Sequence, residues 1–153
     1  MINWETVNKI KEIVKEFFEK TTLGVEVEFL PEQEGVLPIS VKSEEPQILI
    51  GEGGQTLIEI QRLLKMILKK KIQEEFRIDL DINNYKKKKA DYLKEVAVST
   101  ADDVSLTKKE KELAPMPSYE RRIIHLALVE RTDVVTESIG EEPERRIIIK
   151  PRP

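Results

Sequence analysis

The sequence predicts an α+β protein of two small modules: a helix, strand, strand, helix, helix, strand unit (αββααβ), then helices packed on a small β-sheet. Three observations predict it. Apolar residues recur at spacings of three and four in separate stretches, the period of helices that bury one face. Other stretches alternate apolar with polar residues, the period of half-buried strands. A glycine bend, Gly51-Glu52-Gly53-Gly54, stands between a short apolar turn and a long stretch without helix breakers.

Trp4 to Lys20 is the first helix, with Val7, Ile10, Val14, Phe17 and Phe18 on one stripe. Thr21-Thr22-Leu23-Gly24 ends it. Val25, Val27 and Phe29 alternate with Glu26 and Glu28, and Leu37, Ile39 and Val41 repeat that alternation after Pro31-Glu32-Gln33-Glu34-Gly35, so the pair reads as a hairpin. Ile48-Leu49-Ile50 is the short turn before the glycine bend, and Gln55 to Lys71 is the second long helix. Phe76, Ile78, Leu80 and Ile82 alternate with Arg77, Asp79 and Asp81 in a third strand that stops at Asn83-Asn84. The pattern changes there, which divides the chain into modules 1–84 and 85–153.

Asn84 is expected to cap a helix from about Tyr85 into the early 100s that buries Tyr92, Leu93, Val96, Ala97 and Val104. Lys86 to Lys89 sit on its first turns, where the helix dipole disfavours each cation by roughly a few tenths of a kcal/mol. They therefore need a partner or stay solvated. After the polar stretch Lys108 to Glu112 and the stop Pro115-Met116-Pro117, Ser118 suits an N-cap and Glu120 the first turn of a helix from Tyr119 to about Arg131. Thr132 to Thr136 and Arg145 to Lys150 are β-branched runs about the turn Ile139-Gly140-Glu141-Glu142-Pro143, which predicts two strands.

Composition narrows the function classes. With 39% hydrophobic and 36% charged residues the chain has enough apolar material to fold. It has no cysteine, which excludes disulfides, thiolate metal sites and thiol nucleophiles. Its start, Met1-Ile2-Asn3-Trp4-Glu5, does not read as a leader, and no stretch approaches the roughly 20 apolar residues of a membrane span, so no membrane insertion and a cytoplasmic location are expected. The net charge of -3 conceals a reversal: residues 1–60 carry 5 basic and 12 acidic side chains, residues 61–153 carry 21 and 17. Phosphate contacts need a local cationic patch and not a basic average, and the patches are expected in the later part.

The glycine bend is the first candidate site. Glycines at Gly51 and Gly54 let a backbone approach phosphates closely, and the helix that follows offers free N–H groups. Set between a strand, a short turn and a helix leading to a strand, a GxxG loop has the KH arrangement, which clamps about four backbone nucleotides. Helical projection places Arg62, Lys65 and Lys69 on one flank, away from Leu57, Ile60, Leu64 and Leu68. Glu52 opposes this, because a carboxylate at about 4 Å from a phosphate repels it by on the order of 1 kcal/mol in water. The loop also reads as no more than a helix-start turn.

The second candidate is Glu120-Arg121-Arg122-Ile123-Ile124-His125. Projection groups Arg121, Arg122 and His125 on one exposed face and turns Tyr119, Ile123, Leu126 and Ala127 to the core. A guanidinium and an imidazole so placed grip a phosphate and stack on a base without moving a proton. For a lone histidine, a hydrogen bond to a neighbouring segment is the competing reading. Arg146 and Lys150 share one face of the last strand and Arg145 the other, so a basic sheet face or a solvated one is expected.

Pro115-Met116, Glu120 to His125, and Val135 to Arg146 together resemble the signature of the Arg-three-His domain in the Jag (SpoIIIJ-associated, KhpB) family. Leu49-Ile50-Gly51-x-x-Gly54-Gln55-Thr56-Leu57 resembles that family's KH signature, so the likeness spans roughly residues 2–150, with two motifs in order. It departs at Glu52-Gly53 and at Pro117-Ser118, and the family's separate N-terminal segment is not found. The resemblance implies a KH type II-like fold and then an Arg-three-His fold. It also implies binding of single-stranded RNA, with single-stranded DNA as a further candidate, and a small one-domain KH partner protein. Its implied role is that of a post-transcriptional regulator or RNA chaperone linked to cell envelope growth or elongation, without cofactor.

Two other function classes compete. Catalysis is not expected: His125 is the one histidine, Ser118 and Ser138 have no evident base, and adjacent Glu141 and Glu142 in a turn point apart and fit an ion pair with Arg145-Arg146 better. A protein-interaction adaptor that uses the KH fold as a scaffold is favoured by Glu52 and the acidic first sixty residues. Because of the acidic loop, loss of Arg121 with His125 is expected to weaken RNA binding more than aspartates at Gly51 and Gly54.

Overall fold

The computed structural model describes residues 1–153 and divides them into two compact units, Met1–Lys86 and Lys87–Pro153. The first contains α1 (Trp4–Lys20), β1 (Val25–Phe29), β2 (Val36–Ser43), α2 (Pro46–Ile50), α3 (Gln55–Lys71) and β3 (Arg77–Ile82). Asn3 caps α1 by accepting the Thr6 N–H at 2.8 Å. Strand β2 is central, antiparallel to β1 and parallel to β3. A parallel pair requires a crossover, and α2 and α3 supply it. Leu37, Ile39, Val41, Ile78, Leu80 and Ile82 form the inner sheet face, packed with Ile10, Val14 and Phe18 of α1 and Leu57, Leu64 and Leu68 of α3. Gln61 ties α3 to the sheet edge, its Oε1 accepting the Leu80 N–H at 2.9 Å. This αββααβ order is compatible with the KH arrangement.

The second unit is formed by α4 (Tyr85–Thr107, its first two residues in the first unit), β4 (Lys111–Glu112), α5 (Ser118–Leu128), β5 (Val134–Ile139) and β6 (Arg146–Pro151). The sheet order is β4-β6-β5, antiparallel throughout. Its core joins Leu93, Ala97, Ala101 and Val104 of α4, Ile124 and Leu128 of α5, and Val134, Ile147 and Ile149 of the strands. The two alanines let α4 lie close to its neighbours. The protein is thus α+β, with helices on small sheets, and no helix is long and apolar enough to cross a membrane.

Several local expectations are corrected. Asn84 takes φ 56° and does not cap α4; the Asp81 carboxylate accepts the Lys86 N–H at 3.2 Å instead. Pro117, not Ser118, is the N-cap of α5, and its carbonyl accepts the N–H groups of Glu120 and Arg121 at 3.1 Å. Lys111 and Glu112, read as a polar stretch, pair with Ile149 and Ile148 as a short edge strand, where hydrogen bonding to β6 overrides weak propensity. Tyr92 stands exposed on α4, and Tyr119 and Leu126 stand exposed on α5. The inner face of α5 is Glu120, Arg121, Ile124 and Leu128, so the helix is rotated from its apolar projection.

Candidate nucleic-acid interface

The glycine bend is built by backbone geometry that only glycine meets easily. Gly51 closes α2 by donating its N–H to the Gln47 carbonyl at 2.9 Å, at φ 72°. A Cβ there would lie 2.1 Å from Thr56 Oγ1. Gly54, at φ 80°, is buried, and a Cβ would meet the Tyr85 ring at 2.8 Å. Gly53 also has positive φ, 60°, yet nothing would lie within 4 Å of its Cβ. Gly51 and Gly54 therefore fix the shape of the bend, while Glu52 and Gly53 form its exposed tip as one 3₁₀ turn, Glu52–Gly54. The restraining residues are Thr56 and Tyr85, neither of which sequence reasoning singles out. Thr56 lies within the glycine motif itself; Tyr85 is brought in by tertiary folding and leaves no local signal.

Along α3, which starts at the bend, stand the three expected cations, Lys69 in its last turn, and they are not equally available. Arg62 is tied to Glu59 at 3.1 Å, and Glu59 also accepts from Gln55 at 2.9 Å. Both partners are exposed, so that pair contributes little and opens readily. Lys65 and Lys69 make no ion pair or hydrogen bond. They are available cations of this helix, as is exposed Lys70 in its last turn.

In the second unit Arg121 is buried, 7% exposed, and does not stand on an open face. Its Nη1 donates to the Met116 carbonyl at 2.6 Å and its Nη2 pairs with Glu142 at 2.9 Å. It clasps the segment before α5 to the turn between β5 and β6. Glu142 therefore pairs with Arg121 rather than with Arg145 or Arg146. Arg121 falls three residues before Ile124 and seven before Leu128, on the inner stripe, which overrides the exposed placement.

His125, one turn on, is half-buried, and its Nδ1 is hydrogen-bonded to Thr136 Oγ1 at 2.6 Å. Burial, and then the Arg121 charge, lower its pKa below the ordinary histidine value. At neutral pH it is an uncharged imidazole, so it can share a hydrogen bond but adds no cation for a phosphate. The competing reading of the lone histidine, a tie to a neighbouring segment, is the one realised. Thr136 is opposite Ile149, which places it on the inner sheet face; Ser138, opposite Ile147, shares that face, and its hydroxyl is buried without a partner. Arg122 alone of the three is exposed and unpaired.

The basic sheet face is corrected on two counts. Arg146 Nε donates to Glu112 at 2.7 Å, and Lys150 pairs with Glu137 at 2.8 Å, so each cation has a carboxylate from the neighbouring strand. The Lys150 pairing holds Glu137 below the usual carboxylate range and raises the lysine pKa. Strand alternation also puts Arg146 and Lys150 on the face opposite Thr136 and His125. Arg145, before β6, donates to the Gly140 carbonyl at 2.8 Å and steadies the turn.

Residues 91–151 match the Arg-three-His domain. The chain is 36% identical over 143 residues to the RNA-binding protein KhpB of Clostridium symbiosum, covering 93% of this chain and 64% of that protein. It is 35% identical to the KhpB of Bacillus subtilis over 71% of this chain and 53% of the relative. For the KhpB of Lactiplantibacillus plantarum the identity is 35%, over 67% and 32%. The chain thus spans less than two thirds of each of these relatives' own length.

Proposed function

We propose, from the likeness to KhpB proteins over most of this chain and from the Arg-three-His match, that the chain binds single-stranded RNA without catalysing a reaction on it. One observation carries the proposal: an Arg-three-His domain follows a unit whose glycine bend opens a helix with unpaired lysines alongside. The bend offers backbone to a sugar-phosphate chain, Lys65 and Lys69 neutralise phosphates, and Arg122 supplies the guanidinium that Arg121 cannot. Gly51 and Gly54 shape the loop, and Glu52-Gly53 is its contact tip. Arg121, Arg145, Arg146 and Lys150 act through structure, holding the turn and the sheet that carry the exposed groups.

The finer role follows the family resemblance: a post-transcriptional regulator or RNA chaperone connected with envelope growth, working in the cytoplasm with a small one-domain KH protein. Titration of a labelled single-stranded oligonucleotide at about 50 and about 200 mM salt tests the core of the proposal. Saturable binding that weakens steeply with salt is the expected result. A flat titration at the lower salt overturns it and favours the adaptor reading, in which the acidic first unit is a protein-docking surface.

A further inference from the structure

The four lysines at the start of α4 have no structural explanation in full. No acidic residue stands in the first turn of this helix, so Lys86-Lys87-Lys88-Lys89 face the positive end of its dipole uncompensated. Lys86 is paired with Asp79. The Lys89 ammonium lies over the Tyr92 ring, 5.6 Å from its centroid. Lys87 and Lys88 are exposed and make no ion pair or hydrogen bond, although Asp91 stands one turn away and Glu95 one turn beyond it. Helix stability, ion pairing and packing all fail to account for these two.

Tyr92 is the second observation. It is 57% exposed, against the burial its aromatic ring would favour, and on the helix it projects about 40° from Lys88. Its ring carries a cation at 5.6 Å, which fixes it as a platform instead of leaving it to fold onto the protein. An unpaired cation, Lys88, next to a presented aromatic ring, with a second, Lys87, about 140° from the ring and about 100° from Lys88 on the flank, supplies the two elements that single-stranded nucleic acid requires, cations for phosphates and a ring for a base. We propose that Lys87, Lys88 and Tyr92 form an additional RNA contact, the lysines taking two backbone phosphates and the tyrosine stacking one base. The inference rests on the RNA-binding reading above, and charge complementarity selects RNA as the occupant over a protein segment.

The full chain and labelled oligoadenylate and oligouridylate, titrated over a range of salt, test it. Replacing both lysines (K87Q/K88Q) should reduce the slope of log affinity against log salt by about 1.4, at about 0.7 per phosphate, and weaken binding roughly tenfold near physiological salt. The equally exposed pair K108Q/K109Q removes the same charge from the same unit and should change neither quantity. Tyr92→Ala should weaken binding by at least about fivefold at unchanged slope, and Tyr92→Phe should restore it. A wild-type slope for K87Q/K88Q, or an equal loss for K108Q/K109Q, overturns this contact while wild-type binding leaves the RNA reading standing. Absence of wild-type binding sinks both.

Discussion

The glycine bend and the α5 constellation carry the two motifs of this chain, and they treat their motif residues in opposite ways. In the bend, Gly51 and Gly54 are consumed by backbone geometry and leave the tip and the flanking lysines open. In the second unit the charged residues themselves are consumed: Arg121 by Glu142 and a carbonyl, Arg146 by Glu112, Lys150 by Glu137. A motif residue is therefore not of necessity a contact residue. Whether a cation can meet a phosphate depends on which carboxylates the fold brings to it, and the fold leaves Arg122 rather than Arg121 free.

The largest effect should come from breaking the bend. Gly51→Ala places a Cβ 2.1 Å from Thr56 Oγ1 at φ 72°, and strain plus overlap should cost about 3 kcal/mol of stability, read by urea unfolding. Gly53→Ala, with open space at φ 60°, should cost only about 1 kcal/mol. Equal losses would show that the bend is not held by Thr56. Aspartates at Gly51 and Gly54 accordingly report on folding before they report on RNA.

Arg121→Ala comes next. It strands the Met116 carbonyl and the Glu142 carboxylate, and because Glu142 is exposed to water the expected cost is about 2 kcal/mol and not the larger penalty of a wholly buried pair. Arg122→Ala should leave stability unchanged and weaken RNA binding about fourfold, the share of one phosphate. If Arg122→Ala unfolds the protein and Arg121→Ala leaves stability intact, the assignment of the two arginines is reversed.

These two residues also show what the sequence could and could not disclose. Periodicity alone located α1, the β1–β2 hairpin, α3 and β3, because in each the buried face is apolar, Thr6 at the start of α1 excepted: Ile10, Val14 and Phe18; Leu57, Leu64 and Leu68; Ile78, Leu80 and Ile82. It misplaced the face of α5 because that inner stripe holds Glu120 and Arg121, whose burial is made tolerable by partners far along the chain. It missed β4 because Lys111 and Glu112 have no strand pattern of their own and are recruited by β6. The glycine spacing was legible as a motif, yet the atoms that demand glycine belong to Thr56 and Tyr85. Likewise, residue types announced a basic strand at Arg146 and Lys150, and only cross-strand register revealed their carboxylates.

An effect of similar size to that of Arg122→Ala separates the two regions as RNA contacts. Glu52 stands exposed at the tip of the bend, so Glu52→Gln should tighten RNA binding by about fivefold at low salt if a phosphate passes there, the gain fading as salt screens it. Unchanged affinity would show that no phosphate passes the tip and leave Lys65 and Lys69 as the contacts of the first unit.

The smallest effect is a matter of protons at His125. Burial and the Arg121 charge hold its folded-state pKa below the unfolded value, so between those two values the unfolded chain binds more protons than the folded one. Stability contributed by the neutral imidazole and its Thr136 hydrogen bond is then complete above the ordinary histidine pKa and declines as pH falls through that value toward the lowered one. His125→Gln keeps a hydrogen-bonding side chain but removes the titration, so the difference in unfolding free energy between wild type and variant should drift against the wild type on acidification below about pH 6.5. The same pair of titrations with RNA discriminates further. If the imidazole must charge to hold a phosphate, affinity rises with acid in the wild type alone; if Arg122 supplies the charge, both proteins follow one salt line at every pH.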